Sequence, residues 1–129
     1  MKKKILVVDD SPDVTTVIKS LLEGEYNDYE VMISESGEDC LELLNKDLVP
    51  YAIILDIMLP GIDGFETYER IRKIDKLKKV PVLFLTARTD PFTVEQGRFL
   101  GDDFIEKPFE IEDVIVRIER AIEKLKEQV

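Results

Sequence analysis

Short, almost wholly apolar runs alternate along this chain with longer stretches whose apolar positions recur every three or four residues. The runs are Lys4-Ile5-Leu6-Val7-Val8, Tyr29 to Ser34, Tyr51-Ala52-Ile53-Ile54-Leu55, Val82-Leu83-Phe84-Leu85 and Asp103-Phe104-Ile105-Glu106. Runs of this length read as buried strands, and the periodic stretches between them as amphipathic helices. Val14, Val17, Ile18, Leu21 and Leu22 predict one buried face of a first helix, with Ser11 as its cap and Pro12 and Asp13 in its first turn. Gly24 and Asn27-Asp28 should end it. A second helix is expected from Glu38 to Asn45, and a third carries Phe65, Tyr68 and Ile71. Ile111, Val114, Ile118, Ala121, Ile122 and Leu125 mark a last helix reaching nearly to Val129. Thr89 to Leu100 is irregular: Pro91 can open a helix, and Gly97 is expected to interrupt it. Lys76 to Lys79 reads as a solvated basic connection. Strand and helix in alternation favour a parallel sheet covered on both faces.

The residues that follow the strand runs change the picture from fold to chemistry. The first run ends at Asp9-Asp10, the third at Asp56, the fourth at Thr86 and the fifth at Lys107-Pro108. Ligands of an open parallel sheet sit beyond the carboxyl ends of its strands. If these strands are neighbours, three carboxylates, a hydroxyl and an ammonium gather there, which suits Mg²⁺ and a phosphoryl group.

Composition narrows the field. The chain has 129 residues, enough for one domain over residues 1–129 with a proper core. It contains no histidine, which removes histidine general bases, Ser-His and Cys-His nucleophile pairs and histidine-ligated zinc. Its one cysteine, Cys40, falls in a helical pattern and reads as a buried position. A net charge of −10 argues against binding nucleic acid or an anionic membrane directly. No stretch is apolar enough to span a bilayer and no signal peptide is visible, so a cytoplasmic protein is expected.

Taken with their order and spacing, Asp9-Asp10, Asp56 with Met58-Leu59-Pro60-Gly61 and Asp63-Gly64, Thr86-Ala87, and Asp102-Asp103-Phe104 with Lys107-Pro108-Phe109 resemble the receiver domain of two-component response regulators. The resemblance covers essentially the whole chain. It implies an α/β fold, flavodoxin-like and doubly wound, with a five-stranded parallel sheet in order 2-1-3-4-5 and five helices. It also implies that Asp56 accepts a phosphoryl group from a sensor histidine kinase or phosphotransfer protein. Asp10, Asp56 and the backbone carbonyl of Met58 would ligate Mg²⁺, with Asp9 acting through a water, while Thr86 and Lys107 bind phosphoryl oxygens. Phe104 stands at the family's switch position and would rotate inward if Thr86 moves. The Lys107-Pro108 bond is expected to be cis, and Met58 and Arg88 flank the path of attacking water. One departure is visible: Leu100-Gly101-Asp102-Asp103 lacks the alanine usual before the fifth strand, which should tighten that loop.

Singly, each of these residues has a plainer explanation, as a helix-start acid, a strand-end threonine, a solvated lysine or a core phenylalanine. Jointly they describe a phosphoacceptor that switches a face made by its fourth helix, fifth strand and fifth helix for an output protein or domain, whether free-standing or part of a larger regulator. Arg117 is expected to be solvated, with a pairing to Asp102 or Asp103 of another copy in a phosphorylation-dependent homodimer as the alternative. A Mg²⁺-dependent phosphatase working through an aspartyl phosphate is the competing enzyme reading. It wants a second acid two residues after Asp56, where Met58 stands. A receiver that has lost its chemistry and serves as a scaffold is a third.

Overall fold

The computed structural model describes residues 2–25, 28–87 and 90–126. In chain order these form β1 (Lys3–Val8), α1 (Pro12–Glu25), β2 (Tyr29–Ser34), α2 (Gly37–Asn45), β3 (Ala52–Leu55), α3 (Gly64–Arg72), a 3-10 turn (Asp75–Leu77), β4 (Val82–Thr86), α4 (Pro91–Leu100), β5 (Asp103–Glu106) and α5 (Ile111–Lys126). The strands make one parallel sheet, as the pattern predicts, in order β2-β1-β3-β4-β5, as the resemblance implies.

Both faces of the sheet are dry, which is why its inner strands read as unbroken apolar runs. Ile5 and Val7 of β1 pack with Ile18 and Leu22 of α1 and with Val114 and Ile118 of α5. Leu6 and Val8, one residue out of phase, pack on the other face with Cys40 and Leu44 of α2 and Ile71 of α3. Cys40 is fully buried, and burial pushes its thiol up to about 12, so it is inert packing.

Local chemistry sets the helix starts. Ser36, Asp63 and Asp90 each accept a hydrogen bond from the backbone N–H three residues on, capping α2, α3 and α4. At the strand-start end, Glu119 of α5 accepts the Tyr29 hydroxyl at 2.5 Å, the Tyr51 hydroxyl at 2.6 Å and the Lys3 ammonium at 3.3 Å. That staple fixes α5 to the base of the sheet.

Several expectations change. Val17 is 48% exposed, and Thr15 is buried in its stead. At 3.6 residues per turn Val17 lies about 100° round from Ile18, off the buried stripe. Gly24 lies inside α1, which continues to Glu25, and Asn27 is outside the described residues. The supposed solvated connection contains the 3-10 turn, with Leu77 fully buried. Gly97 does not interrupt α4. It sits within the helix where the Phe104 ring approaches, 2.3 Å from where a Cβ would be. Gly101, in the short loop before β5, likewise leaves room for Phe84. The helix α5 is described to Lys126, and residues 127–129 lie outside the described set. Among the described residues no helix is long and apolar enough to cross a membrane.

Candidate functional site

Asp9, Asp56 and Lys107 are each held by the last rung of a parallel ladder. The Asp9 N–H donates to the Ser34 carbonyl at 3.1 Å, that of Asp56 to Val8 at 2.9 Å, and that of Lys107 to Thr86 at 3.0 Å. Sheet pairing therefore delivers side chains far apart in sequence to one rim. Asp9 and Asp56 are buried there, and Asp10 is exposed beside them. One carboxylate oxygen from each of the three lies within 4.8 Å of the others.

Asp9 accepts the Ser11 N–H at 2.9 Å on one oxygen and the Lys107 ammonium at 2.8 Å on the other. Lys107 also reaches Asp56 Oδ2 at 3.2 Å, while Asp56 Oδ1 accepts the Met58 N–H at 3.1 Å. Burial raises the Asp56 carboxyl above its ordinary value and the Asp9 charge raises it further, partly offset by Lys107 and the Met58 N–H. Burial works against the Lys107 ammonium, yet its contacts with Asp9 and Asp56 outweigh this and raise its pKa. Lys107 is thus shared by Asp9 and Asp56, while among the described residues Asp10 stands exposed beside them, open to a cation from outside. An all-oxygen cluster this compact can hold a hard divalent metal ion.

The backbone past Asp56 depends on glycine. A Cβ on Gly64 would come within 2.3 Å of the Asp56 carbonyl oxygen, so only glycine lets the start of α3 close over the strand end. Gly61 holds φ at +76°, the left-handed region that glycine supplies without strain.

The other expected residues fall into place unevenly. Thr86 ends β4 fully buried, next to the Lys107 backbone. The Lys107-Pro108 peptide is cis. Met58 is 55% exposed at the mouth of the site. Arg88 lies outside the described residues. Phe104 is already buried, with its ring against Gly97, rather than outward and waiting to turn in. Arg117 is not simply solvated. It donates to Asp103 at 2.7 Å, to Asp113 at 3.0 Å and to the Phe104 carbonyl at 3.2 Å within the same chain. Asp102 is likewise engaged by Arg72 at 2.8 Å and by the Val82 N–H at 2.7 Å. Sequence reasoning missed Arg72 and Glu119 as organisers. Both look like solvated helix charges until the chain is folded.

The family model described as the response regulator receiver domain matches residues 5–119. The chain is 40% identical over 119 residues to the transcriptional regulatory protein YrkP of Bacillus subtilis, covering 92% of this chain and 48% of that protein. It is 37% identical over 125 residues to the alkaline phosphatase synthesis transcriptional regulatory protein PhoP of the same organism, covering 96% and 50%. The chain thus spans about half the length of these relatives. Among solved structures, the chemotaxis response regulator CheY4 of Vibrio cholerae superposes with a TM-score of 0.83 at 28% identity, covering 94% of this chain and 99% of that one.

Proposed function

This chain belongs to the response regulator receiver domain family, and on that premise we propose that it is a phosphoacceptor switch whose Asp56 takes a phosphoryl group from a phosphohistidine of a sensor kinase or phosphotransfer protein. The supporting observation is the convergence of Asp9, Asp10, Asp56 and Lys107 at one rim of the sheet.

In the transfer, Asp56 Oδ forms a bond to phosphorus as the phosphorus–nitrogen bond of the phosphohistidine breaks, and the electron pair returns to the imidazole. Such a transition state is loose, so positioning and charge neutralisation dominate. Lys107, already shared between Asp9 and Asp56, swings its positive charge onto the transferred oxygens. The Thr86 hydroxyl donates to another of them. Asp10, Asp56 and the Met58 carbonyl, with Asp9 through a water, would hold Mg²⁺, and the compact cluster of three carboxylates fits that ion. When bound, Mg²⁺ supplies the positive charge that offsets the clustered carboxylates and the incoming phosphoryl oxygens.

The added charge on Asp56 then draws Thr86 and Lys107 together, and the packing of α4, β5 and α5 responds. Because Phe104 is already buried against Gly97, α4 and the ring move as one body. An output protein or domain reads that face, and residues 1–129 form the receiver unit. Incubation with Mg²⁺ and acetyl phosphate tests the reading by intact mass. One phosphoryl group should be gained, and Asp56→Asn should gain none. Uptake by Asp56→Asn, or none by the wild type, overturns it.

A further inference from the structure

We propose that the groove between the β3–α3 loop and α4 is a docking site for a basic amphipathic helix of a partner protein, its shape coupled to Asp56. The coupling rests on the phosphoacceptor reading above.

Three large apolar side chains stand out of this surface: Met58 at 55%, Phe92 at 67% and Phe99 at 83% exposure. Isolated apolar residues on a surface are ordinary, but a contiguous set lining a depression marks an interaction site. Met58, Phe65, Phe92 and Thr93 line a hollow of about 460 Å³. Phe92 also lines a second hollow of about 370 Å³ that continues along α4 to Phe99. Phe92 and Phe99 are seven residues apart in one helix, so they face the same way across roughly 10 Å. That spacing matches the anchors a second helix presents at positions i and i+7.

Charge selects the occupant. Asp63 lines the first hollow and Glu95 the second, and the chain carries a net charge of −10. A second copy would bring the same sign against the same rim. A helix with an apolar stripe flanked by lysine and arginine meets both the rings and the acids.

The groove is also bonded to the reacting group. The Met58 N–H donates to Asp56 Oδ1 at 3.1 Å, so one wall hangs on the oxygen pair that is to be phosphorylated. The opposite wall is the first turn of α4, which follows β4 and Thr86 in the chain. Phosphorylation therefore acts on both walls, and affinity for the helix should change with it.

The test uses two synthetic peptides of roughly 18 residues, about five helical turns. Both carry the same leucine and phenylalanine stripe, one flanked by lysine and arginine and the other by glutamate. Binding is read by fluorescence anisotropy, with and without Mg²⁺ and beryllofluoride. The basic peptide should bind, its affinity should shift several-fold with beryllofluoride, and Phe92→Ala should weaken it about tenfold, as for a central aromatic anchor. Phe92→Ala should still gain a phosphoryl group from acetyl phosphate. The proposal is overturned if the wild type binds neither peptide, if it binds both equally, or if Phe92→Ala binds the basic peptide unchanged. Sedimentation showing Phe92-dependent self-association would assign the groove to a second copy and overturn it as well. Failed docking with intact phosphoryl uptake removes only this proposal. Absent uptake by the wild type removes the phosphoacceptor reading, and the coupling with it.

Discussion

Gly97 of α4 and Phe104 of β5 touch so closely that a Cβ on Gly97 would stand 2.3 Å from the ring's Cδ2 and 2.6 Å from its Cε2. Two opposed effects follow from adding that carbon. Alanine in a helix interior gains about 1 kcal/mol over glycine. Overpacking a filled site costs about 1–3 kcal/mol. Gly97→Ala should therefore be neutral to destabilising by about 2 kcal/mol in urea unfolding, although its helix propensity rises. In a Phe104→Ala background the same substitution should become stabilising, because the ring is gone. Stabilisation by the full helix increment in the wild-type background would show that the ring does not occupy that place.

This contact also shows what the chain's pattern can and cannot tell. The strand ends were legible because sheet pairing alone carries Asp9, Asp56, Thr86 and Lys107 to one rim, and a run of apolar residues announces each strand. Gly97 read as a break because glycine propensity is a local signal, whereas its reason is a ring from another element. Val17 was misplaced for a related cause. Apolar identity suggested burial, but helical phase set it on the side, and Thr15 turned inward. Arg72 and Glu119 carried no signal at all, since a charged residue on a helix reads as solvated until its partners are folded beside it.

Arg72 shows how much such a residue can hold. Its guanidinium donates to the Leu77 carbonyl at 3.1 Å, the Val80 carbonyl at 2.8 Å and Asp102 at 2.8 Å, and lies over the Tyr68 ring. It ties α3 to the connection before β4 and to the loop before β5. Arg72→Met keeps the apolar stem but leaves two carbonyls and a largely buried carboxylate short of donors. A loss of about 2–4 kcal/mol in chemical denaturation is expected. A change within 0.5 kcal/mol would mean water replaces the guanidinium without cost.

The Glu119 staple gives a pH signature. Burial alone would raise its carboxyl, but the Tyr29, Tyr51 and Lys3 hydrogen bonds outweigh that and hold it below its usual 4.5. A carboxyl lowered on folding contributes stability above its unfolded value and loses it as the pH falls through the folded value. Glu119→Gln should therefore cost about 1–2 kcal/mol near neutral pH, a modest figure because the side chain is 38% exposed. The gap from wild type should close as the pH drops below 4.5. A gap that persists unchanged at low pH would show that shape, rather than charge, is what Glu119 provides.

On the proposed reading, Asp10 should separate metal binding from folding. It is exposed, whereas Asp9 is buried and pinned by Lys107 and the Ser11 N–H. Asp10→Asn should leave the metal-free protein as stable or slightly more so, because one like charge is removed. In the wild type, Mg²⁺ at a hundred times its dissociation constant should add about 2.7 kcal/mol, since only the folded cluster binds it. Thermal melts with Mg²⁺ and then EDTA read both quantities. An equal Mg²⁺ response in Asp10→Asn would place the ion elsewhere.

On the proposed phosphoacceptor reading, Met58 should set how long the phosphoryl group stays. It follows Asp56 by two residues, its N–H is bonded to Asp56 Oδ1, and its side chain is more than half exposed at the mouth of the site. Hydrolysis needs a water oxygen to form a bond to phosphorus as the Asp56 oxygen leaves with its electron pair, while the water's proton passes to solvent. A thioether offers that water no useful hydrogen bond and shields its approach. Asparagine at the same position offers both a donor and an acceptor, and the exposed site admits it with little effect on stability, within about 0.5 kcal/mol. One hydrogen bond realised in the transition state, at about 1.4 kcal/mol, corresponds to a tenfold faster loss of phosphate. Met58→Asn, phosphorylated with acetyl phosphate and freed of donor, should lose its added mass about ten times faster than the wild type, with uptake on Asp56 unchanged. Equal decay rates would mean that water reaches phosphorus by a path Met58 does not cover.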